Sequence, residues 1–242
     1  MQQAAQTFDQ IVKARRAVRK YQEDAPFDSE AVARSLARAV LAPNSSNLQT
    51  WEFYRIRSAA TKAEVARLCM NQSAARTAHE LVVVVCRGDK WKENSQRVLE
   101  HMRHSFSDPL TKRDQRAIEY YKRNIPLLYM NDPFGLMTLV RTLIVQFKSW
   151  QGPMVRWSGS ANSRIITHKS AALAAQTFML SMQAEGYATC PMEGFDEKRL
   201  KKLLKLPSKA EINMVIATGP EEEGGVYSDR YRFPLEEVVK EV

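Results

Sequence analysis

Three arginines within five positions are the densest group of chemically capable side chains in this sequence. They are Arg15, Arg16 and Arg19, within the stretch Ala14-Arg15-Arg16-Ala17-Val18-Arg19-Lys20-Tyr21. Guanidinium groups bind phosphate and carboxylate oxygens with two parallel hydrogen bonds. The stretch is therefore either the solvated basic end of a first helix or one half of an anion site, depending on which other segments reach it.

Two more arginines, Arg230 and Arg232, lie near the other end of the chain. Their i,i+2 spacing places both side chains on one side of an extended segment. Two polar turns lie between the arginine groups, at Pro43–Asn47 and Pro191–Gly194. Side-chain amides and backbone N–H groups in such turns can bind a flat polar ring. These segments predict a divided site for an anionic ligand.

Other patterns of catalytic residues are missing from the sequence. No glycine-rich dinucleotide fingerprint follows a strand, and no Walker loop occurs. His101 and His104 are spaced i,i+3 on a basic helix, where solvated histidines are expected rather than a metal site. The sequence Ser158-Gly159-Ser160 lacks the strand–turn–helix context of a nucleophile elbow. We therefore expect no metal and no hydrolase triad.

The composition is that of an ordinary globular protein, with 242 residues, 44% hydrophobic and 26% charged. No run reaches the ~18 apolar residues that a spanning helix needs, and the first residues lack the apolar core of a signal peptide. The three cysteines include no closely spaced pair, which suits a reducing compartment. The sequence thus predicts a cytoplasmic protein without a transmembrane segment.

The net charge of +9 is concentrated in one segment. Residues 87–170 contain 15 Lys and Arg against 7 Asp and Glu, whereas the rest of the chain contains 21 against 20. A local basic surface favours an anionic small molecule or, more weakly, an anionic membrane face. No recognised nucleic-acid motif accompanies it, so we expect no nucleic-acid partner.

Hydrophobic periodicity and breaker residues predict one α+β domain with helices on both faces of a sheet. The predicted helices cover 6–21, 28–40, 61–70, 170–185, 196–205 and 235–242, and the predicted strands cover 51–57, 81–86 and 212–217. The helix at 170–185 is apolar nearly all round, so it is expected to be buried on all sides and to offer an Ala-rich face to a neighbouring helix or subunit. Residues 87–165 read as an inserted helical subregion, either a mobile cap or more of the core.

Four segments, in this order, resemble motifs of the FMN-dependent nitroreductase family. Arg15–Tyr21 resembles its N-terminal arginine motif, and Ala42–Trp51 resembles its Ala-Pro-Ser-x-x-Asn-x-Gln-Pro-Trp motif. Pro191–Phe195 resembles its Pro-x-Glu-Gly-Phe turn, and Arg230–Arg232 resembles its C-terminal basic motif. The resemblance covers roughly 8–86 and 165–234 and does not extend to the insertion.

The resemblance implies a three-layer α/β/α fold with a central, mostly antiparallel sheet. It implies an FMN enzyme that takes hydride from NAD(P)H at flavin N5 and passes it to an electron-poor acceptor, a nitroaromatic or a quinone, by a ping-pong mechanism. No side-chain nucleophile is expected, because the flavin does the chemistry. The family also implies a homodimer with FMN at the subunit interface.

The resemblance assigns roles to both arginine groups. Arg15, Arg230 and Arg232 would bind the FMN phosphate, and Arg16 and Ala17 would line the ribityl and phosphate region. Arg19 would face the N1/O2 side of the ring, where positive charge stabilises the reduced anionic flavin.

The turns would contact the ring. Pro43, Asn44, Ser45 and Asn47 would come from the partner subunit. Pro191, Met192, Glu193 and Gly194 would pass along the isoalloxazine, with a backbone contact at Glu193 near N5. Asn71 stands where the family often has a ring-contacting asparagine.

Three residues depart from the family pattern: Ala17 replaces a serine, Thr50 replaces a proline, and Ala74 stands where some members carry a lysine that Arg76 could replace. Structural roles without FMN binding stay open for two of the assigned residues: Asn47 could be only a turn residue, and Arg232 only a surface charge.

Two alternatives for function also stay open. One is a flavin-binding sensor or storage protein without turnover. The other keeps the enzyme but makes the insertion a cap that selects an anionic or hydrophobic acceptor.

Overall fold

The computed structural model describes residues 2–129, 136–153 and 160–242. Four strands are described, β1 (Trp51–Ile56), β2 (Glu80–Cys86), β3 (Ala188–Met192) and β4 (Glu211–Gly219). The helices of the body are α1 (Gln2–Ala14), α2 (Ser29–Ala39), α3 (Ala59–Leu68), α4 (Ser73–Thr77), α9 (Ser160–Ala184), α10 (Glu197–Leu203) and α11 (Leu235–Val238). Between β2 and α9 lie α5 (Trp91–Arg103), α6 (Lys112–Glu119), α7 (Ile125–Tyr129) and α8 (Leu136–Ser149).

The described strands form one antiparallel sheet in the order β1-β2-β4-β3. Its centre is β2, whose seven residues Glu-Leu-Val-Val-Val-Val-Cys are all buried. A continuous β-branched run of this kind is expected when both faces of a sheet are covered.

Helices cover both faces and make three layers. Val82, Val84 and Ile216 face one core, which α2 and α9 complete with residues such as Val32 and Phe178. The alternate residues of the same strands face a second core under α3, α4 and α10. The predicted α+β, three-layer architecture is confirmed.

The first helix ends earlier than predicted: α1 ends at Ala14, whereas the sequence predicts a helix to residue 21. Beyond it the backbone is extended and pairs with distant segments: Ala17 bridges to Thr189, and the Val18 N–H donates to the Thr189 carbonyl at 3.1 Å. The arginine stretch is therefore a strand-like segment beside β3, and the interpretation as a helix end is wrong.

Two predictions in the second half also differ from the structure. The sequence predicts Pro191 and Met192 in a turn, yet they form the end of β3, which pairs with β4 from Ala188 to Met192. α9 begins ten residues before the predicted start at 170, and it is not buried all round, since Ile165 is 53% and Leu173 47% exposed. Its small face packs against α2.

The described part of the insertion packs on the body. Ile125 and Tyr129 of α7 form a small core with Leu48 and with Ile166 of α9. Residues 130–135 and 154–159 lie outside the described residues, and with them most of Ser158-Gly159-Ser160. Whether the insertion is mobile stays a prediction. No described helix is long and apolar enough to cross a bilayer.

Candidate functional site

A groove of about 530 Å³ brings the two ends of the chain together. Its lining residues are Arg15, Arg16, Ala17, Arg19, Val226, Tyr227, Ser228, Asp229, Arg230, Tyr231 and Arg232. The five arginines of the predicted divided anion site therefore share one groove, although more than 190 positions separate Arg19 from Arg230 in the sequence.

Guanidinium–carbonyl hydrogen bonds join the two ends. Arg230 donates from Nη2 to the Arg15 carbonyl at 2.5 Å. Arg16 donates from Nη2 to the Ser228 carbonyl at 2.6 Å. Each end thus orients the other, and the remaining guanidinium N–H groups can bind a ligand.

The groove contains a cluster of like charges. Throughout the described parts of the chain, none of its five arginines makes an ion pair with a carboxylate. Burial lowers the pKa of Arg15 below its ordinary value, and the charges of Arg230 and Arg232 lower it further. Arginine nevertheless stays protonated at neutral pH, so among the described residues five positive charges line the groove against one carboxylate, Asp229, and the excess is suited to a dianion.

The floor of the groove is held by backbone pairing. The Arg19 N–H donates to the Gly225 carbonyl at 2.6 Å. A Cβ on Gly225 would lie 2.7 Å from the Lys20 carbonyl oxygen and 2.8 Å from that of Glu222. Only glycine permits this close approach, which fixes Arg19 against the loop that leads to the C-terminal arginines.

The turn after β3 adjoins the same region. The parallel bridge between Ala17 and Thr189 places the arginine segment along β3, whose last residues are Pro191 and Met192. Glu193 and Gly194 are exposed. Their backbone N–H groups have no acceptor among the described residues, and are free to donate to a ligand.

A glutamine between α3 and α4 holds this turn. Gln72 donates from Nε2 to the Gly194 carbonyl at 2.8 Å and to the Cys69 carbonyl at 3.0 Å. Its neighbour Asn71 is exposed and has a left-handed backbone with φ of 52°. Asn71 is therefore adjacent in sequence to a residue that binds the 191–194 turn, and its own contact with a ring stays a prediction.

Ala74, which departs from the family pattern, and Arg76, which could compensate for it, differ in solvent exposure. Ala74 is buried at 1% exposure, whereas Arg76 is exposed. The structure records no contact between Arg76 and the groove, so its compensating role stays a prediction.

The Pro43–Asn47 turn does not line the groove. Its Asn44 side chain accepts a hydrogen bond from the Gln49 N–H at 2.8 Å, and the Ser45 N–H donates to Ser170 of α9. The Tyr121 hydroxyl of the insertion donates to the Ser46 carbonyl at 2.9 Å. Two of the four predicted segments, Arg15–Arg19 and Arg230–Arg232, thus line the groove, the 191–194 turn follows the strand that bridges to Ala17, and the 43–47 turn is not part of the lining.

Sequence reasoning missed two positioning residues, Gln72 and Gly225. The adjacent pair Gly224-Gly225 is a turn signal in the sequence, but the approach to Lys20 is a tertiary contact. Gln72 has no local signal. Among the described residues, no group of three His, Cys, Asp or Glu side chains is arranged to hold a metal ion.

Comparisons with known proteins agree with the fold. YodC of Bacillus subtilis, named as an NAD(P)H nitroreductase, is 26% identical over 229 residues, covering 94% of this chain and 95% of the relative. The Bacillus subtilis protein YdfN, described as a nitroreductase, superposes with a TM-score of 0.76 at 21% identity, covering 98% of this chain and all of YdfN.

A further solved structure is that of an Exiguobacterium sibiricum protein in complex with FMN. It superposes with a TM-score of 0.67 at 21% identity, and the match covers 97% of each chain. At this identity the two crystal structures establish the fold. The sequence profile of the nitroreductase family matches residues 12–220. The chain belongs to the nitroreductase family.

Proposed function

We propose that this protein is an FMN-dependent oxidoreductase that uses NAD(P)H to reduce an electron-poor acceptor, a nitroaromatic or a quinone. The observation that carries the proposal is the groove with five arginines, none of which has a carboxylate partner within the described residues. The naming of YodC and the FMN complex of the Exiguobacterium protein support the choice of cofactor and reductant.

The groove suits the two ends of FMN. A phosphate dianion needs several guanidinium donors, and Arg15, Arg230 and Arg232 supply them. Arg16 and Ala17 would line the ribityl region. Arg19, fixed at its N–H by Gly225, would place positive charge beside the pyrimidine edge of the ring.

The turn after β3 would bind the other edge of the ring. Glu193 and Gly194 offer exposed N–H groups, with Pro191 and Met192 leading into the turn and Asn71 beside it. When bound, FMN would supply the hydride-transfer chemistry between NAD(P)H and the acceptor. The protein contributes binding, orientation and charge, so no side chain needs to act as a nucleophile.

We further propose that the site is completed in a homodimer. Pro43, Asn44, Ser45 and Asn47 lie away from the groove of their own chain, so they would reach the FMN of a second copy. Exposed apolar side chains of α1, α9 and the C-terminal segment provide a surface for the second copy; they include Phe8, Val12, Leu173, Tyr231, Phe233 and Leu235.

Mixed dimers test the composite site. Arg230→Ala and Asn47→Ala should each lower FMN binding in homodimers. A dimer with one copy of each variant should regain one intact site of two, because one groove and one loop stay wild type and face each other. A site built within one chain would regain none.

Anaerobic reduction tests the activity itself. Purified protein should be yellow, should be bleached by NADH or NADPH, and should regain its flavin absorbance when a nitroaromatic or quinone is added. Protein that takes up no FMN on reconstitution would contradict the proposal. Flavin that neither nicotinamide reduces would favour the sensor or storage alternative.

We propose a cytoplasmic location, since Cys69, Cys86 and Cys190 are all free and buried, as suits a reducing compartment.

A further inference from the structure

Helix α8 of the insertion presents an apolar face that nothing in the described structure covers. Its large apolar residues are all between 40% and 77% exposed; they are Leu139, Val140, Leu143, Ile144 and Phe147, followed by Trp150. Within the described parts of the chain, no other helix or strand packs extensively against α8.

The spacing of these residues gathers them on one side of the helix. Positions 139, 140, 143, 144, 147 and 150 recur at intervals of three and four, which a period of 3.6 residues brings onto one face. The polar residues Thr138 and Thr142 follow a different row, with the Thr142 hydroxyl donating to the Thr138 carbonyl at 2.8 Å. The helix is therefore amphipathic, with Leu, Phe and Trp on the apolar side.

The charged residues in and around α8 are mainly basic. Residues 136–153 include the basic residues Arg141 and Lys148 and no acidic residue. They belong to the segment 87–170, with 15 Lys and Arg against 7 Asp and Glu. An amphipathic helix with basic residues and with Leu, Phe and Trp on its apolar face is the pattern that binds in the plane of an anionic lipid surface.

Two other roles fit α8 less well. Its 14 residues span about 21 Å at 1.5 Å per residue, short of the ~30 Å hydrocarbon core, so it cannot span a bilayer. Pairing α8 with α8 of a second copy would bring together two helices that each carry Arg141 and Lys148 and no acidic residue, and like charges oppose that contact.

We propose that α8 is a membrane-surface helix that docks this protein onto anionic phospholipid through Leu143, Phe147 and the neighbouring apolar residues. Apolar side chains enter the interface, and the basic residues of the insertion remain among the phosphate groups. This docking does not depend on the bound cofactor or on the acceptor.

Vesicle flotation of the full-length protein tests the proposal. The wild type should float with vesicles of equal parts phosphatidylglycerol and phosphatidylcholine, and much less with phosphatidylcholine alone. Phe147→Glu should weaken binding at least about tenfold, equivalent to about 1.4 kcal/mol. The matched control Thr142→Glu adds the same charge to the polar side and should weaken it only about twofold.

Two further measurements separate lipid docking from its rivals. The fluorescence of Trp150, isolated by comparison with Trp150→Phe, should shift to shorter wavelength on anionic vesicles. Sedimentation velocity without lipid should give the same oligomeric state for wild type and Phe147→Glu.

Three results would overturn the proposal: wild type that does not float with anionic vesicles, equal loss in both glutamate variants, or a changed oligomeric state in Phe147→Glu. The last would assign α8 to a subunit contact. Unchanged circular dichroism in both variants is the control for folding.

Discussion

Replacing Arg232 with glutamine should affect the free protein and the FMN complex in opposite directions. Arg232 lines the groove beside Arg15 and Arg230. Its hydrogen bond within the described structure goes from Nη1 to the adjacent Tyr231 carbonyl, so its loss removes no contact between distant segments. The substitution therefore removes one charge from a like-charged cluster.

The two effects differ in size. In the free protein the like charges repel one another through solvent, which is worth about half a kcal/mol for exposed groups. That corresponds to a rise of about 1–2 °C in Tm for a chain of this size. In the complex one charge-assisted hydrogen bond to phosphate is lost, worth about 1.5–3 kcal/mol, so the Kd for FMN should rise roughly 10- to 150-fold.

Thermal unfolding without FMN and fluorescence titration with FMN measure the two quantities. Arg199→Gln is a suitable control, because Arg199 is exposed, pairs with Asp196 at 2.8 Å and lies outside the groove. It should leave the Kd unchanged. If Arg232→Gln lowers the Tm of the free protein, or if its Kd for FMN equals that of the wild type, the arginine cluster is not a phosphate site.

Three further substitutions probe the framework of the site. Gly225→Ala forces a Cβ to within 2.7 Å of a backbone oxygen, so chemical denaturation should show a free energy of unfolding lower by about 1–3 kcal/mol. The control Gly152→Ala places its Cβ where no atom lies within 4 Å, and should change the free energy of unfolding by less than about 0.5 kcal/mol. Glu80→Ala leaves the Arg55 guanidinium, 3.1 Å from the lost carboxylate, without that partner in a half-buried position, and should lower the free energy of unfolding by about 3 kcal/mol. Hydrogen bonds from two arginines of α2 lower the pKa of Glu185 from 4.5 to about 2. A carboxylate with a lowered folded-state pKa stabilises the fold above its unfolded pKa, and this stabilisation is lost as the pH falls toward 2. Glu185→Gln should therefore make the free energy of unfolding less dependent on pH in the acid range, and an unchanged dependence would refute the assignment.

Elements with strong local signals could be predicted from the sequence. The run Leu81–Cys86 could only be a buried strand, and it is the centre of the sheet. The sequence predicts a helix capped by Asp28 or Ser29, and the Asp28 side chain accepts the Glu30 N–H as the N-cap of α2. In each case the residues that decide the structure are neighbours in the chain.

Elements decided by distant partners could not be predicted in the same way. Residues 15–20 continue the helical pattern of α1, yet they are extended because Val18 pairs with Thr189 and Arg19 with Gly225. β3 contains Pro191, which weakens any strand signal, and it forms because β4 offers a free edge. Its position at the sheet edge is where a proline is tolerated.

Several structural arginines of this protein are neutralised by carboxylates. Arg34 and Arg38 share Glu185, and Arg87 contacts Glu52 and Asp89. The sequence alone cannot identify these pairs, because each of these partners is either far away in the chain or ambiguous among 27 acidic residues. Once the fold assigns the carboxylates, the five arginines of the groove remain together without an ion pair among the described residues, and Asp229 is the one acidic residue in the described lining. Like charges held close together oppose folding, and the anionic ligand proposed above would offset that repulsion.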